Sequence, residues 1–147
     1  MRTLFGLVCA MGMLAASACV SWSDPFERER ALTLAQRSYT NALRWGNLDG
    51  AAQYVEPSLR EEFLSHEETF ASVRITDYDI GTLEMDTADM ERAEVDVTFR
   101  GYVLPHYLEN RARDHQVWVR DVEGDGAWRV RPEVAALLDG LGAKRSR

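Results

Sequence analysis

The chain has 147 residues, of which 46% are hydrophobic and 28% charged, with 10 Gly, 4 Pro and a formal net charge of −7. At about 150 residues per domain this is one folded unit with enough apolar matter for a core, which excludes a second domain, intrinsic disorder and collagen-like repeats. The acidic balance repels phosphate, and apart from the tail Lys144, Arg145 and Arg147 there is no basic stripe, so nucleic acid is not an expected partner.

Arg2 precedes an uncharged apolar run from Leu4 to Ala16, and small residues follow up to Cys19. The run is too short for a bilayer-spanning helix, which needs roughly 20 residues, and reads as a secretory signal over residues 1–18. Ala16-Ser17-Ala18-Cys19 resembles the lipobox of bacterial lipoproteins, with Ala16 where Leu is commonest. The resemblance implies cleavage before Cys19 and acylation of its thiol and amino group. Plain cleavage after the small-x-small triplet is the alternative. Cysteine usage favours the lipid: Cys9 leaves with the signal, so Cys19 is the one thiol of the mature chain and no internal disulfide can form. Cleavage also removes Arg2, leaving 16 basic residues against 24 acidic ones, a net charge of −8. With Val20 rather than Asp after the cysteine, the resemblance implies the periplasmic face of the outer membrane in a Gram-negative cell. Residues 19–24 form a tether of at most ~18 Å, with Trp22 placed to sit among lipid headgroups.

Asp24-Pro25-Phe26-Glu27 is an N-cap, a proline at the first helical position and a capping-box acid. A helix of about twenty residues follows, with Leu32, Ala35, Tyr39, Ala42 and Leu43 as its apolar stripe, ending at Gly46-Asn47. A short second helix runs from Asp49 through Ala51, Ala52 and Val55, and Pro57 opens a third with Leu59, Phe63 and Phe70 inward. Beyond Ser72 the period changes to two. Ile75–Met85 reads as a strand with Tyr78, Ile80 and Thr82 on one face. Ala93, Val95, Val97, Phe99 and Val103 alternate with polar residues in a long half-buried strand, and Gly101 marks a bulge. His115–Val122 and Ala127–Arg131 form a hairpin around Glu123-Gly124-Asp125-Gly126, and Pro132–Leu141 closes the domain (25–141) with a helix before the basic tail 142–147.

Helices followed by a meander of antiparallel strands make an α+β layout. Tyr39-Thr40-Asn41-Ala42-Leu43-Arg44-Trp45-Gly46-Asn47-Leu48-Asp49-Gly50-Ala51-Ala52, together with Gly126-Ala127-Trp128-Arg129-Val130, resembles the nuclear transport factor 2-like superfamily, whose cystatin-like α+β cone packs N-terminal helices into a strongly curved antiparallel sheet. The resemblance implies a cavity that serves isomerases, dehydratases, carriers, lipoproteins and interaction modules alike. Isomerase-like members carry an Asp in or beside a strand soon after helix two, with a Tyr acid. Here Glu56-Pro57 leads into another helix instead, and no acid stands in a recognisable equivalent.

The aromatic residues expected to enclose the cavity are Tyr39, Phe63, Tyr78, Phe99, Trp118 and Trp128, with His115 at its mouth on one strand face with Val117 and Val119. They serve as core, or as the lining for an apolar ligand or a partner's side chain. His106 and His115 meeting across a loop near Glu109 or Asp114 is a weaker metal alternative, and His66 has no ligand at suitable spacing. Asp121 to Gly126 opens like a calcium loop, but Pro132 occupies the twelfth position where a bidentate Glu is needed, and an Asp/Gly-rich turn explains every residue. No nucleophile elbow, phosphate loop or zinc-binding helix motif is present, and no cofactor is implied. The expectation is a lipid-anchored, non-enzymatic periplasmic domain that binds an envelope protein or small apolar ligand, with a homodimer through the sheet as a further arrangement. The alternative is a small isomerase- or dehydratase-like enzyme using a pocket acid or His115.

Overall fold

The first helix is set by its cap. In the computed structural model, which describes residues 24–143, Asp24 Oδ1 accepts from the Phe26 N–H at 3.0 Å and Pro25 opens α1 (Pro25–Arg44). Its buried stripe is Leu32, Gln36, Tyr39, Thr40 and Leu43. The expected Ala35 and Ala42 are half-buried at its margins, so two polar side chains face the core. Gly46 takes φ +70°, a conformation costly for residues with a Cβ, and the Asn47 side chain then caps α2 (Leu48–Ala52) through the Gly50 N–H. The helix stops short of Val55, which forms a parallel bridge with Val130.

The segment expected as one third helix is three pieces: a 3₁₀ turn at Pro57–Leu59, α3 (Arg60–Leu64) and α4 (Glu67–Ala71). At the break Ser65 Oγ donates to the Glu62 carbonyl at 2.6 Å, the local competition by which a serine weakens a helix. Phe63 and Phe70 nevertheless both reach the core.

The predicted strand Ile75–Met85 is also interrupted. β1 (Val73–Ile80) and β2 (Glu84–Met85) are separated at residues 81–83, and both pair antiparallel with β3 (Arg92–Val103). A bulge at Thr76 shifts the phase of β1 by one residue. Val73 and Ile75 before it, and Tyr78 and Ile80 after it, therefore all lie beside inward positions of β3, while Thr82 falls outside the strand. In β3 itself Ala93, Val95, Val97, Phe99 and Gly101 face inward. A Cβ on Gly101 would lie 2.6 Å from the Arg74 carbonyl oxygen, which is why a glycine stands there, and the register with the next strand slips just beyond it.

The largest departure from expectation is β4, which runs His106–Arg120 rather than starting at His115. It hairpins to β5 (Trp128–Arg131), and α5 (Val134–Leu141) ends at Gly142 with φ +89°. The sheet order is β1-β3-β4-β5, with β2 beside β3. The sheet curves around α1 and α5 as an α+β cone. α5 lies against β4 so closely that a Cβ on Gly140 would sit 2.7 Å from that of Ala112. Trp128 Nε1 donates to the Arg28 carbonyl, tying β5 to the first turns of α1. Among the described residues no helix is long and apolar enough to cross a membrane. Cys19, Trp22 and the tail Lys144–Arg147 lie outside those residues.

Candidate functional site

Along β4 the side chains alternate, and Trp118 fixes the phase. Trp118 is wholly buried against Tyr39, their rings edge-to-face at 5.8 Å, so Ala112, Asp114 and Gln116 share its inward face. His115, expected at the pocket mouth, is one residue out of that phase. It stands on the outer face, with Nδ1 3.0 Å from Asp96 and Nε2 3.5 Å from Glu94. Arg113 also pairs with Asp96, and the hydrogen bonds from Arg113 and then His115 hold the Asp96 carboxyl down to about 2. His106 and His115 are nine residues apart on one strand, about 30 Å at 3.3 Å per residue, so they do not meet.

The other aromatic residues divide into groups. Phe63 packs on Tyr39 at 6.3 Å and so joins Trp118, Phe99 packs on the half-buried Tyr78 at 6.0 Å, and Trp128 is buried separately beneath the start of α1. These rings fill the interior instead of lining an open chamber.

Between them runs a buried polar seam. Gln36 Nε2 donates to Thr40 Oγ1 at 3.0 Å and reaches Gln116 Oε1 at 3.5 Å. Trp118 Nε1 donates to the same Gln116 oxygen at 3.2 Å, and Gln116 Nε2 donates to Asp114 Oδ2 at 2.9 Å. The amide of Gln116 is thereby oriented by its neighbours and presents its N–H to the carboxylate.

Asp114 is 3% exposed. Burial first, opposed by the Gln116 hydrogen bond and helped by the Glu133 charge, raises its pKa to about 6. Tyr39 is pushed above its ordinary value by burial first and by the Asp114 charge second, so its phenol stays neutral. A weakly acidic carboxyl beside a neutral phenol in apolar surroundings is a combination suited to proton transfer at neutral pH.

Glu133 also lines a surface pocket of about 320 Å³ between α3 and α5, together with Phe63, His66 and Val134. Phe63 lines this pocket and packs on Tyr39 behind it. A separate cleft of about 370 Å³ holds Arg120, Arg129 and Arg131, but Arg131 is paired with Glu56 at 2.6 Å and Arg129 with Asp125 at 2.7 Å. In the Asp121–Gly126 turn, Asp121 Oδ1 accepts from Gly124 and Asp125 Oδ1 from Ala127, so these oxygens hold the hairpin.

Sequence reasoning places Asp114 only beside a His106–His115 metal site and does not single out Gln116, Gln36 or Thr40. Counting back in steps of two from Trp118 finds Gln116 and Asp114 on its inward face.

No protein-family model and no curated protein matches the chain. Solved structures match in fold. A ketosteroid isomerase-like protein from Erwinia carotovora atroseptica superposes with a TM-score of 0.55 at 13% identity, covering 71% of this chain and 91% of that one. A candidate scytalone dehydratase from Novosphingobium aromaticivorans gives 0.53 at 12% identity over 71% and 80% of the two chains. An LEH-like epoxide hydrolase from M. tuberculosis gives 0.50 at 16% over 76% and 85%. The fold is thus the nuclear transport factor 2-like cone to which the α1–α2 transition pointed. At these identities the likeness concerns architecture.

Proposed function

We propose that this chain is a small isomerase- or dehydratase-like enzyme that moves a proton on a small, largely apolar ligand taken up through the pocket of Phe63 and Glu133 between α3 and α5. One observation carries the reading: Asp114, buried on the inner face of β4 with its pKa raised to about 6. A buried carboxyl costs stability, and such groups concentrate at catalytic sites. In the proposed reaction the Asp114 carboxylate takes a proton from the carbon next to a carbonyl, and the Tyr39 hydroxyl donates to the oxygen on which negative charge collects. Return of the proton to another carbon gives isomerisation, and its transfer to a departing hydroxyl gives dehydration and water. The isomerase- and dehydratase-like names of two of the fold neighbours accord with this chemistry.

The test is solvent-deuterium incorporation into a panel of β,γ-unsaturated ketones and 1,3-diketones, followed by proton NMR. The chain should catalyse exchange with a rate that falls as pH drops through about 6, and Asp114→Asn should lower it by two orders of magnitude or more. Equal exchange by both proteins would overturn the assignment, as would no exchange across the panel.

For location, the signal and Cys19 support a lipid anchor on the periplasmic face of the outer membrane. Cys19→Ala should move the protein from the membrane to the soluble fraction and abolish incorporation of labelled palmitate. Unchanged fractionation would count against the anchor.

A further inference from the structure

α1 turns a second face to solvent. Leu34 stands two residues from both Leu32 and Gln36, about 200° round the helix from that buried stripe. Phe26, Arg30, Arg37, Asn41 and, just past the last turn, Trp45 fall on the same side and are exposed. Phe26, Leu34 and Trp45 are 78%, 57% and 73% exposed, three large apolar side chains kept in water over about 28 Å of helix. Beyond Glu29 the helix carries no acid, in a chain that has 24. Neither Arg30 nor Arg37 meets a carboxylate among the described residues.

Arg37 also walls a shallow groove of about 520 Å³ between α1 and β1, with Ser38, Asn41, Tyr78 and Ile80. Its polar groups are donors. Asn41 Oδ1 accepts from Trp45 Nε1 at 3.1 Å, which leaves the amide NH2 as the outward group, and the Ser38 hydroxyl has no partner among the described residues. No acid lines the groove: Asp77 and Asp79 alternate with Tyr78 and Ile80, and both are drawn to Arg100 on the opposite face of the sheet. Arg44 brings a second cation, its guanidinium 5.8 Å from the centre of the Tyr78 ring and 5.5 Å from that of Trp45.

We infer that this face seats the folded domain on a phospholipid bilayer, with a lipid phosphate in the groove among Arg37, Ser38 and Asn41, and with Phe26, Leu34, Trp45 and Ile80 dipping between headgroups. Spacing and charge select the occupant. Along α1 the apolar side chains stand singly, with cations and donors between them, so the face lacks the contiguous apolar centre that a protein interface desolvates. A headgroup layer suits the alternation, because it takes apolar side chains one at a time and presents phosphate oxygens around each. The course of the chain agrees, since residues 1–23 enter α1 at the Phe26 end of this face. The contact goes beyond the acyl chains proposed on Cys19, which hold a domain near a bilayer without setting its orientation, and it uses nothing of the Asp114 site.

Fluorescence of the full-length protein on vesicles tests this, with the Trp45 emission taken as the difference from Trp45→Phe. On phosphatidylcholine vesicles with about one third phosphatidylglycerol, bromine at the top of the acyl chains should quench about half of that emission or more. Arg37→Glu should reduce the quenching about fivefold or more, and Arg111→Glu, an exposed change on β4, should leave it unaltered. Melting curves show that both variants keep the fold. Flotation of the same samples reports the Cys19 anchor separately: protein that floats with Trp45 unquenched has the anchor and overturns the seat, whereas protein that floats only with the anionic vesicles, Trp45 quenched, has the seat without the anchor. Trp45 shielded from both bromine and aqueous iodide would mean that protein covers this face, and would overturn the inference. So would inorganic phosphate bound at Arg37 by a chain whose Trp45 the lipid never quenches, since the groove would then serve a free anion.

Discussion

Asp114→Asn is expected to stabilise the protein by about 2 kcal/mol at pH 8 and to leave its stability nearly unchanged at pH 4. In the folded chain the carboxyl titrates at about 6, whereas an unfolded aspartate titrates near 3.9. The folded state therefore holds the proton more tightly. The associated stability is fully present below about pH 4 and is lost as pH rises through 6, a difference of about 3 kcal/mol at 1.36 kcal/mol per pH unit. Asparagine cannot ionise, so it avoids that loss, although its additional N–H donors in a buried site reduce the net gain. Urea denaturation of both proteins at the two pH values measures the difference directly. Exposed acids such as Asp96 and Asp125, whose pKa values are lowered, act in the opposite direction, but they are common to both proteins and cancel. Equal destabilisation at both pH values would mean that the carboxyl does not change its charge between them, contrary to a pKa raised to about 6. A variant that is both more stable and inactive is the exchange of stability for activity expected of a catalytic acid.

Trp118→Ala should cost about 4 kcal/mol, enough to unfold a marginally stable domain. The indole is wholly buried, stacks edge-on against Tyr39 and donates to Gln116 Oε1. Alanine leaves a cavity and removes that donor together. Trp118→Phe keeps most of the volume and should cost about 2 kcal/mol, part of it from the Gln116 oxygen losing its partner. Thermal melts of both variants check the order. A phenylalanine variant as damaged as the alanine one would show that the hydrogen bond outweighs the packing.

The elements legible in the sequence were those with one apolar face. α1 announced itself through Asp24-Pro25 and its stripe, and β3 through the alternation from Ala93 to Phe99. The first half of β4 did not, because Glu109-Asn110-Arg111-Ala112-Arg113-Asp114 is polar on both faces: one meets water and the other holds the seam and α5. With the strand begun too late, His115 was given the inward phase that belongs to Asp114. The break at Ser65 and the bulge at Thr76 are likewise backbone decisions made by single hydroxyl residues, invisible to a count of apolar positions. Tyr39, Phe63, Phe99, Trp118 and Trp128 are buried and Tyr78 is half-buried, yet nothing in their spacing shows that they pack around a polar thread.

The irregularity of β1 has a consequence for how molecules accumulate at high concentration. Thr76 bulges out of the ladder, and its carbonyl is held by the Arg44 guanidinium at 3.2 Å. Any strand arriving along that border would have to straighten the kink and evict a cation. That border is therefore a poor template for edge-to-edge growth into fibrils.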